Sequence, residues 1–367
     1  MIKAVILGTA HMHCNEIALY IAEQPETELV GVADLTPDVA ELCDKRYTRG
    51  WNLQNIAATY GTPVFSDYEK MLDETKPDVA YILCENGKKP ELVTACARRG
   101  VDVVIEKPMA VSLDEARKIR EAVDASGIEA YVNWPVVWRH YVLQLKAALD
   151  AGLIGEPIRV RYLNGHTGPL GKGARHRGVS ADAEQMTDEE RAATWWHRSE
   201  AGGGAYLDIC CYGCLYTAWL LGAGADSVLA YGANLNTPVG DTEDNAAAIV
   251  SYPGKMSVIE ATWTTPNIAV PSGPMVVGTE GVICCEFDAE HKPFLRAFDA
   301  YGKEIAVPDF EHPAKWQNMP WQYAAHKLRG EAVLPAVTLP FNLNAMAMLD
   351  AVIRAAESGE KTPVPAV

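Results

Sequence analysis

Two short stretches of this sequence place acid–base side chains where they can act on a hydroxyl. Glu106-Lys107-Pro108 follows an apolar run at 101–105. Gly202-Gly203-Gly204 leads through Ala205-Tyr206-Leu207 to Asp208, and Tyr212 stands four residues later. On a helix, positions i and i+4 share a face, so Asp208 and Tyr212 can point into one cleft. An alcohol gives up a hydride only as its hydroxyl loses a proton; a cofactor takes the hydride and the protein must move the proton. A lysine can do so if burial or a nearby positive charge lowers its pKa. A tyrosine, with a reference pKa near ~10, is less poised for the task than a histidine.

A third stretch reads as an anion cradle. Gly8-Thr9-Ala10-His11-Met12-His13 follows an apolar strand pattern and opens a helical one. Against the dinucleotide fingerprint G-x-G-x-x-G/A, Gly8 fits in full, Ala10 is small enough for a backbone to approach, and His13 replaces the last small residue. The position matters more than the match, because the amides opening a helix favour a pyrophosphate. Asp34 closes the second strand, 26 residues after Gly8. There it either accepts hydrogen bonds from an adenosine ribose, favouring NAD over NADP, or caps a helix after Thr36-Pro37.

The elements that must position these groups follow from periodicity. Segments 3–7, 29–33, 79–83, 101–105 and 128–133 are Val/Ile-rich and barely alternate, as parallel strands covered on both faces do. Helical patterns lie between them at 15–23, 69–74, 90–99 and 113–125, the last opened by Ser112 and Glu115 as a capping box. Strand–helix alternation predicts a doubly wound parallel sheet over 1–133. Beyond it, a helix at 141–151 and a strand at 157–163 precede a long polar stretch, 164–194. A helix at 206–221 and strands at 226–236, 245–251, 255–262, 275–279 and 282–287 come next, then helices at 314–329 and 342–358. Strands without intervening helices predict an α+β domain, 134–367, on an open, largely antiparallel sheet, with helix 342–358 packing back. Long connections often carry binding loops. This one holds His166, Lys172, Arg175, His176 and Arg177, which either bind an acidic substrate group or are simply solvated.

In order and spacing, Glu106-Lys107-Pro108, the glycine triplet with Asp208, Asp244-Asn245-Ala246 and Gly278-Thr279-Glu280-Gly281 resemble the Gfo/Idh/MocA oxidoreductases over nearly the whole chain. The resemblance implies a Rossmann domain, an open-sheet α/β domain and a homodimer or homotetramer across that sheet. It implies NAD(P)-dependent oxidation or reduction of a sugar, cyclitol or related polyol. Lys107 becomes the catalytic lysine and Asp208 the acidic residue beside it; Tyr212 stands where relatives often carry histidine. Gly8, Thr9, Ala10, His11, His13, Asp34, Asn86, Glu106, Lys107 and Asn133 fall on the cofactor side. Lys89 stands where many relatives have histidine. Trp195-Trp196-His197 resembles a Trp-Arg pair flanking the cofactor, with Trp196 over the nicotinamide. His166, Arg175, Arg177, Trp195 and His197 are candidate substrate contacts.

Composition narrows the alternatives. At 367 residues the chain has room for two domains, and 49% hydrophobic with 22% charged residues is ordinary globular usage. A net charge of −16 argues against nucleic acid and against a polybasic membrane anchor. No run reaches the ~18–20 apolar residues of a span, and residues 1–8 run directly into a strand pattern. Nine cysteines without paired C-x-x-C spacing suggest reduced thiols in the cytoplasm and no metal site. Three functions compete: an NAD-dependent dehydrogenase; an NAD-dependent glycoside hydrolase, which oxidises beside the anomeric centre, eliminates and returns the hydride; and a non-catalytic sensor. Retention of Lys107 and Asp208 argues against the sensor.

Overall fold

Strands that are apolar on both faces need helices on both faces, and the first 133 residues supply them. The computed structural model describes residues 1–171, 174–222, 224–266 and 273–367. In order come β1 (Ile2–Leu7), α1 (His13–Glu23), β2 (Thr27–Ala33), α2 (Arg49–Tyr60), β3 (Val64–Phe65), α3 (Tyr68–Thr75), β4 (Val79–Ile82), α4 (Lys89–Ala97), β5 (Asp102–Glu106), α5 (Leu113–Ser126) and β6 (Ala130–Asn133). The strands lie in the order β3-β2-β1-β4-β5-β6, every neighbouring pair parallel. The order reverses between β1 and β4, which opens a crevice beyond their carboxyl ends. Gly8 turns the chain there at φ +84°; a Cβ on it would stand 2.6 Å from Cys84 Cβ. Helix α2 and strand β3 have no counterpart in the periodicity. Asp34 caps no helix, since the chain runs irregularly to Thr48. Ser112 Oγ caps α5 by accepting from the Glu115 N–H at 3.3 Å.

The second part holds α6 (His140–Asp150), β7 (Pro157–Gly165), α7 (Asp188–Ala192), α8 (Cys211–Leu221), β8 (Ser227–Ala233), β9 (Asn245–Tyr252), β10 (Lys255–Thr262), β11 (Gly273–Gly278), β12 (Gly281–Phe287), β13 (Pro293–Asp299), β14 (Glu304–Ile305), α9 (Met319–Arg329), α10 (Leu339–Ser358) and β15 (Thr362–Pro363). Its nine-stranded sheet runs β14-β13-β12-β11-β7-β10-β9-β8-β15. β7 pairs parallel with β10, and the other neighbouring pairs are antiparallel. One face is covered by α8, every residue of which is buried. Gly213 allows that close approach, because a Cβ there would lie 2.3 Å from Ile259 Cγ2. The opposite face leaves Leu229, Tyr231, Ile249 and Met256 exposed. The helix expected over 206–221 divides into a π-helical turn, Tyr206–Cys210, followed by α8.

The two parts interlock. α10 packs on α5 and β6 as well as on α8 and β8. Trp134 Nε1 donates to Asn342 Oδ1 at 2.7 Å, and the Leu113 N–H to Asp350 Oδ1 at 3.2 Å. α9 also lies on the first domain, packing on α1, with Tyr323 Oη donating to Asp102 Oδ2 at 2.8 Å. The segment after β7 folds back over the turn between β1 and α1. Tyr47, Leu170, Met186, Trp195 and Trp196 form an apolar cluster there with Ala10 and Met12. Tyr47 Oη donates to the Ala181 carbonyl at 2.9 Å, and Lys45 pairs with Glu190 at 2.5 Å. Among the described residues no helix is long and apolar enough to cross a membrane, and all nine cysteines are free thiols.

Candidate active site

The end of β5, the opening of α1, the end of β7 and the π-helical turn meet around one cleft of about 1580 Å³. Lys107 extends β5 into it, and Asp208 enters from the π-helical turn, a distortion that recurs at functional sites. Lys107 Nζ donates to Asp208 Oδ1 at 2.9 Å and to the Asp208 carbonyl at 3.0 Å. Both residues are buried. Burial acts to lower the lysine pKa, but the Asp208 carboxylate more than offsets it and holds Lys107 well above its ordinary value. For Asp208, burial acts upward and Lys107 and His166 outweigh it, so its pKa lies well below the carboxylate range. The expected lowered lysine is thus corrected: in this pair Lys107 is a held cation.

Asp208 is the hub of a larger group. Its Oδ2 accepts from Trp263 Nε1 at 2.9 Å and stands 3.2 Å from His166 Nε2. His166 Nδ1 is buried without a partner. His166 follows β7 directly, held by its N–H on the Thr262 carbonyl at 3.0 Å, so it belongs to the centre and not to the outer loop. Tyr212 lines the same cleft, but it offers Lys107 its ring: Nζ lies 4.6 Å from the ring centroid. Burial raises the Tyr212 hydroxyl pKa, away from proton transfer near neutrality.

On the cofactor side, Thr9, Ala10, His11 and Met12 are all buried beneath the folded-back segment. The Ala10 carbonyl accepts from Trp195 Nε1 at 3.0 Å, and the Thr9 N–H donates to Asp34 Oδ1 at 2.9 Å. Asp34 is not presented alone: Arg49 donates from Nε to its Oδ2 at 2.7 Å and from Nη1 to Glu85 Oε1 at 2.5 Å. His13 Nδ1 lies 2.9 Å from Glu106 Oε1, and Asn133 Nδ2 donates to Glu106 Oε2 at 2.7 Å. Burial acts to raise the Glu106 pKa, yet His13, Lys107 and Asn133 leave it lowered. His11 Nδ1 accepts from the His13 N–H at 3.2 Å, which leaves the ring proton on Nε2, a buried donor without a partner. Burial, then His13 and Lys107, hold His11 neutral, well below the usual histidine range. A glycine turn opening a helix, with a free buried donor beside it, fits an NAD pyrophosphate or nicotinamide amide. His11, His13 and Glu106 also bring ligand-type atoms within 4.8 Å of one another; His13 Nδ1 and Glu106 Oε1 are engaged with each other at 2.9 Å.

Asn86 has a different task from the expected cofactor contact. It is buried, donates to the Gly202 carbonyl at 2.7 Å and accepts from Lys89 Nζ at 2.6 Å, tying the two domains. Lys89 spends its other two protons on the carbonyls of Glu106 and Pro108, at 2.7 and 2.5 Å. Burial lowers its pKa to about 8. It clamps the segment that carries Lys107.

The remaining substrate candidates divide. Trp196 lines the cleft, stacked on Trp195 at 3.9 Å between centroids and edge-on to His11 at 4.8 Å. Trp195 does not line it and instead anchors the covering segment. His197 is buried behind, its ring 5.7 Å from that of Trp263, and burial lowers its pKa to about 4. Both expectations of substrate contact are corrected. Arg175 lines the cleft but pairs with Asp182, and Arg177 donates to Tyr20 Oη at 3.1 Å. Lys172 lies outside the described residues. Trp263 as a support and Arg139 at the cleft wall were not assigned from the sequence, and Lys89 was singled out there without its clamping task. The nearest signal was the Arg139-His140 pair before a helix.

The model of an oxidoreductase family with an NAD-binding Rossmann fold matches residues 2–133, and that of the GFO/IDH/MocA C-terminal domain matches 142–284. The scyllo-inositol 2-dehydrogenase (NAD(+)) of Bacillus subtilis is 24% identical over 287 residues, 77% of this chain and 73% of its own. The aldose-aldose oxidoreductase of Caulobacter crescentus, solved with glycerol, superposes with a TM-score of 0.76 at 18% identity over 99% of both chains. The WlbA dehydrogenase of Bordetella pertussis, solved with NADH and UDP-GlcNAcA, gives a TM-score of 0.73 at 22% identity, over 100% of this chain and 99% of its own.

Proposed function

The chain belongs to the Gfo/Idh/MocA family of NAD-binding oxidoreductases, and on that premise we propose that it transfers a hydride between nicotinamide and a hydroxyl-bearing carbon of a sugar or related polyol. The observation that carries this reading is Asp208 joining Lys107 and His166 at the wall of the cleft, 2.9 and 3.2 Å away. NAD, when bound, supplies the hydride acceptor or donor. Lys107, a held cation, steadies the negative charge that builds on the substrate oxygen. With Nε2–H toward Asp208, the free lone pair of His166 is on Nδ1, which takes the hydroxyl proton; Asp208 then steadies the imidazolium. Lys107 is accordingly an electrostatic group in this scheme, and His166 the proton acceptor. Thr9, Ala10, His11 and His13 would hold the cofactor, with Trp196 at its nicotinamide end. No metal is required.

NAD is favoured over NADP. Arg49 carries one positive charge against the carboxylates of Asp34 and Glu85, and that net negative charge repels a 2′-phosphate. The exposed sheet face with Leu229 and Tyr231 suits a homodimer or homotetramer, and nine free thiols suit the cytoplasm. A second reading is favoured by the cleft itself. At about 1580 Å³ it exceeds the ~300–1,000 Å³ of ordinary ligand sites, room for a glycoside cleaved by transient oxidation.

NADH absorbance over a panel of aldoses, inositols and glycosides tests both readings. A dehydrogenase releases one NADH per product, and the glycosidase releases none while exchanging a substrate proton with solvent. Lys107→Met and His166→Gln should each lower turnover by about 10²-fold or more on whichever substrate responds. Unimpaired turnover in both variants would overturn the assignment of this centre.

A further inference from the structure

The charged groups of the cleft can be accounted for one by one. The acids lining it are Glu16 and Asp208, against Lys107, Arg139, Arg175 and Arg177, in a chain of net charge −16. Lys107 is paired with Asp208 and Arg175 with Asp182. Arg177 reaches Glu16 through the Tyr20 hydroxyl, which accepts from the arginine at 3.1 Å and donates to Glu16 Oε1 at 2.6 Å. Arg139 is left over. Among the described residues no carboxylate lies within 4.0 Å of it, and its side chain's one hydrogen bond is a long one, 3.4 Å, to Tyr141 Oη. A guanidinium that stands unpaired in so acidic a chain, exposed at the wall of the substrate cleft, keeps its two-pronged donor edge for something that arrives.

Its surroundings favour an anion as well. Arg139 immediately precedes α6, whose first turn contains no acid and whose opening amides have no side-chain cap. The groups that act on it electrostatically include the hydroxyls of Tyr141, Tyr216 and Tyr162 and, near them, the Cys285 thiol. Lys107 and Arg139 line the same cleft.

Resting on the dehydrogenase reading above, we propose that the substrate is a sugar acid: its carboxylate is taken by the Arg139 guanidinium while a ring hydroxyl lies at Lys107 and His166. One unpaired positive charge matches a monoanion better than a phosphate ester, whose second charge would lack a partner. Arg139 thereby becomes the specificity-determining residue, in place of the loop arginines, of which Arg175 pairs with Asp182 and Arg177 is linked to Glu16 through Tyr20.

The test measures binding, not turnover. NAD-loaded full-length protein is titrated calorimetrically with D-glucuronate against D-glucose and with D-galacturonate against D-galactose, for wild type, Arg139→Gln and Arg139→Lys. Thermal unfolding confirms that both variants fold. In wild type, the acid of at least one pair should bind about tenfold more tightly than its neutral partner. Arg139→Gln should erase the difference, and Arg139→Lys should keep part of it. No preference for the acid in either pair, or a preference that survives in Arg139→Gln, overturns the proposal. NADH formation is read separately. Hydride transfer from a neutral sugar without acid preference sinks this inference alone, and acid preference without hydride transfer sinks the dehydrogenase reading alone.

Discussion

Lys107 Nζ and Asp208 Oδ1 are 2.9 Å apart, both residues buried, in a pair that bridges the two domains. Removing one partner leaves the other charge uncompensated, which typically costs about 3–5 kcal/mol. Asp208→Asn should destabilise the protein on that scale in chemical or thermal unfolding. It should also lower kcat by about 10²-fold or more. The Lys107→Met, Asp208→Asn double variant should recover much of the stability and none of the activity. The sign of the pH dependence follows from the two shifts. The lowered Asp208 contributes above its unfolded value near ~4 and fades only as acid reaches its native value; the raised Lys107 contributes below ~10 and fades only in strong base. The penalty of Asp208→Asn should therefore be flat from about pH 5 to 9. A double variant no more stable than Asp208→Asn would sink the argument.

Proton transfer is expected at His166, not at Tyr212. Tyr212→Phe keeps the ring under Lys107 and loses only a hydroxyl whose pKa burial has raised. Its kcat should stay within about threefold of wild type. His166→Gln should lower kcat by about 10²-fold. The reverse pattern, with Tyr212→Phe dead and His166→Gln active, would return the role to the tyrosine.

Much of this was legible in the chain, for physical reasons. The strands of the first sheet are continuous Val/Ile runs, and parallel strands covered on both faces require that. Lys107 and Asp208 were picked out by the family resemblance, whose motifs sit at a strand terminus and after a glycine triplet. What was missed is non-local or weakly patterned. α2 begins after Thr48, whose side chain makes no cap, and carries Gly50 in its first turn. β13 opens on a proline with an exposed phenylalanine. His166 looked like one basic residue of a polar loop; only the pairing of β7 with β10 shows that it stands opposite Asp208, 42 residues later in the chain. Asp34 was found, but Arg49 upon it was not, since no periodicity links an irregular segment to the acid it covers.

Cofactor choice turns on that Arg49 cluster. Asp34 and Glu85 share one guanidinium, and Glu41, raised to about 7 by burial, accepts the Arg49 N–H at 2.8 Å. A 2′-phosphate would meet net negative charge. NAD should be preferred over NADP by about 10²-fold in kcat/KM, and Glu85→Gln should narrow the preference toward about tenfold. Equal use of both cofactors by wild type would refute the charge argument.

The segment over the phosphate turn should govern exchange of NAD. Trp195 fixes it through the 3.0 Å bond from Nε1 to the Ala10 carbonyl and through apolar burial against Met12 and Tyr47. Trp195→Phe removes the hydrogen bond, and Trp195→Ala removes the packing too. Stopped-flow fluorescence should show NAD leaving a few-fold faster from the first and about tenfold or more faster from the second. An unchanged dissociation rate in Trp195→Ala would mean that the cofactor leaves by a path this segment does not gate.

Glu243 offers a stability test of how the Asp208 turn is anchored. Its Oε1 accepts the Tyr206 N–H at 2.6 Å, against Gly204, whose φ of +101° and lack of a Cβ let the carboxylate approach. Burial raises the Glu243 pKa to about 7, with the bond from Tyr206 opposing. An acid with a raised native pKa binds more protons folded than unfolded between about pH 4.5 and 7, so it costs stability as pH rises through that window. Glutamine keeps the acceptor and does not titrate. Glu243→Gln should match wild type near pH 5 and exceed it by about 1–3 kcal/mol at pH 8, read as a Tm difference that opens between the two. Because the glutamine still accepts the Tyr206 N–H, Asp208 keeps its place and kcat should hold at both pH values. A Tm gap no larger at pH 8 than at pH 5 would show that this carboxylate is not protonated near neutrality and that the turn is held without it.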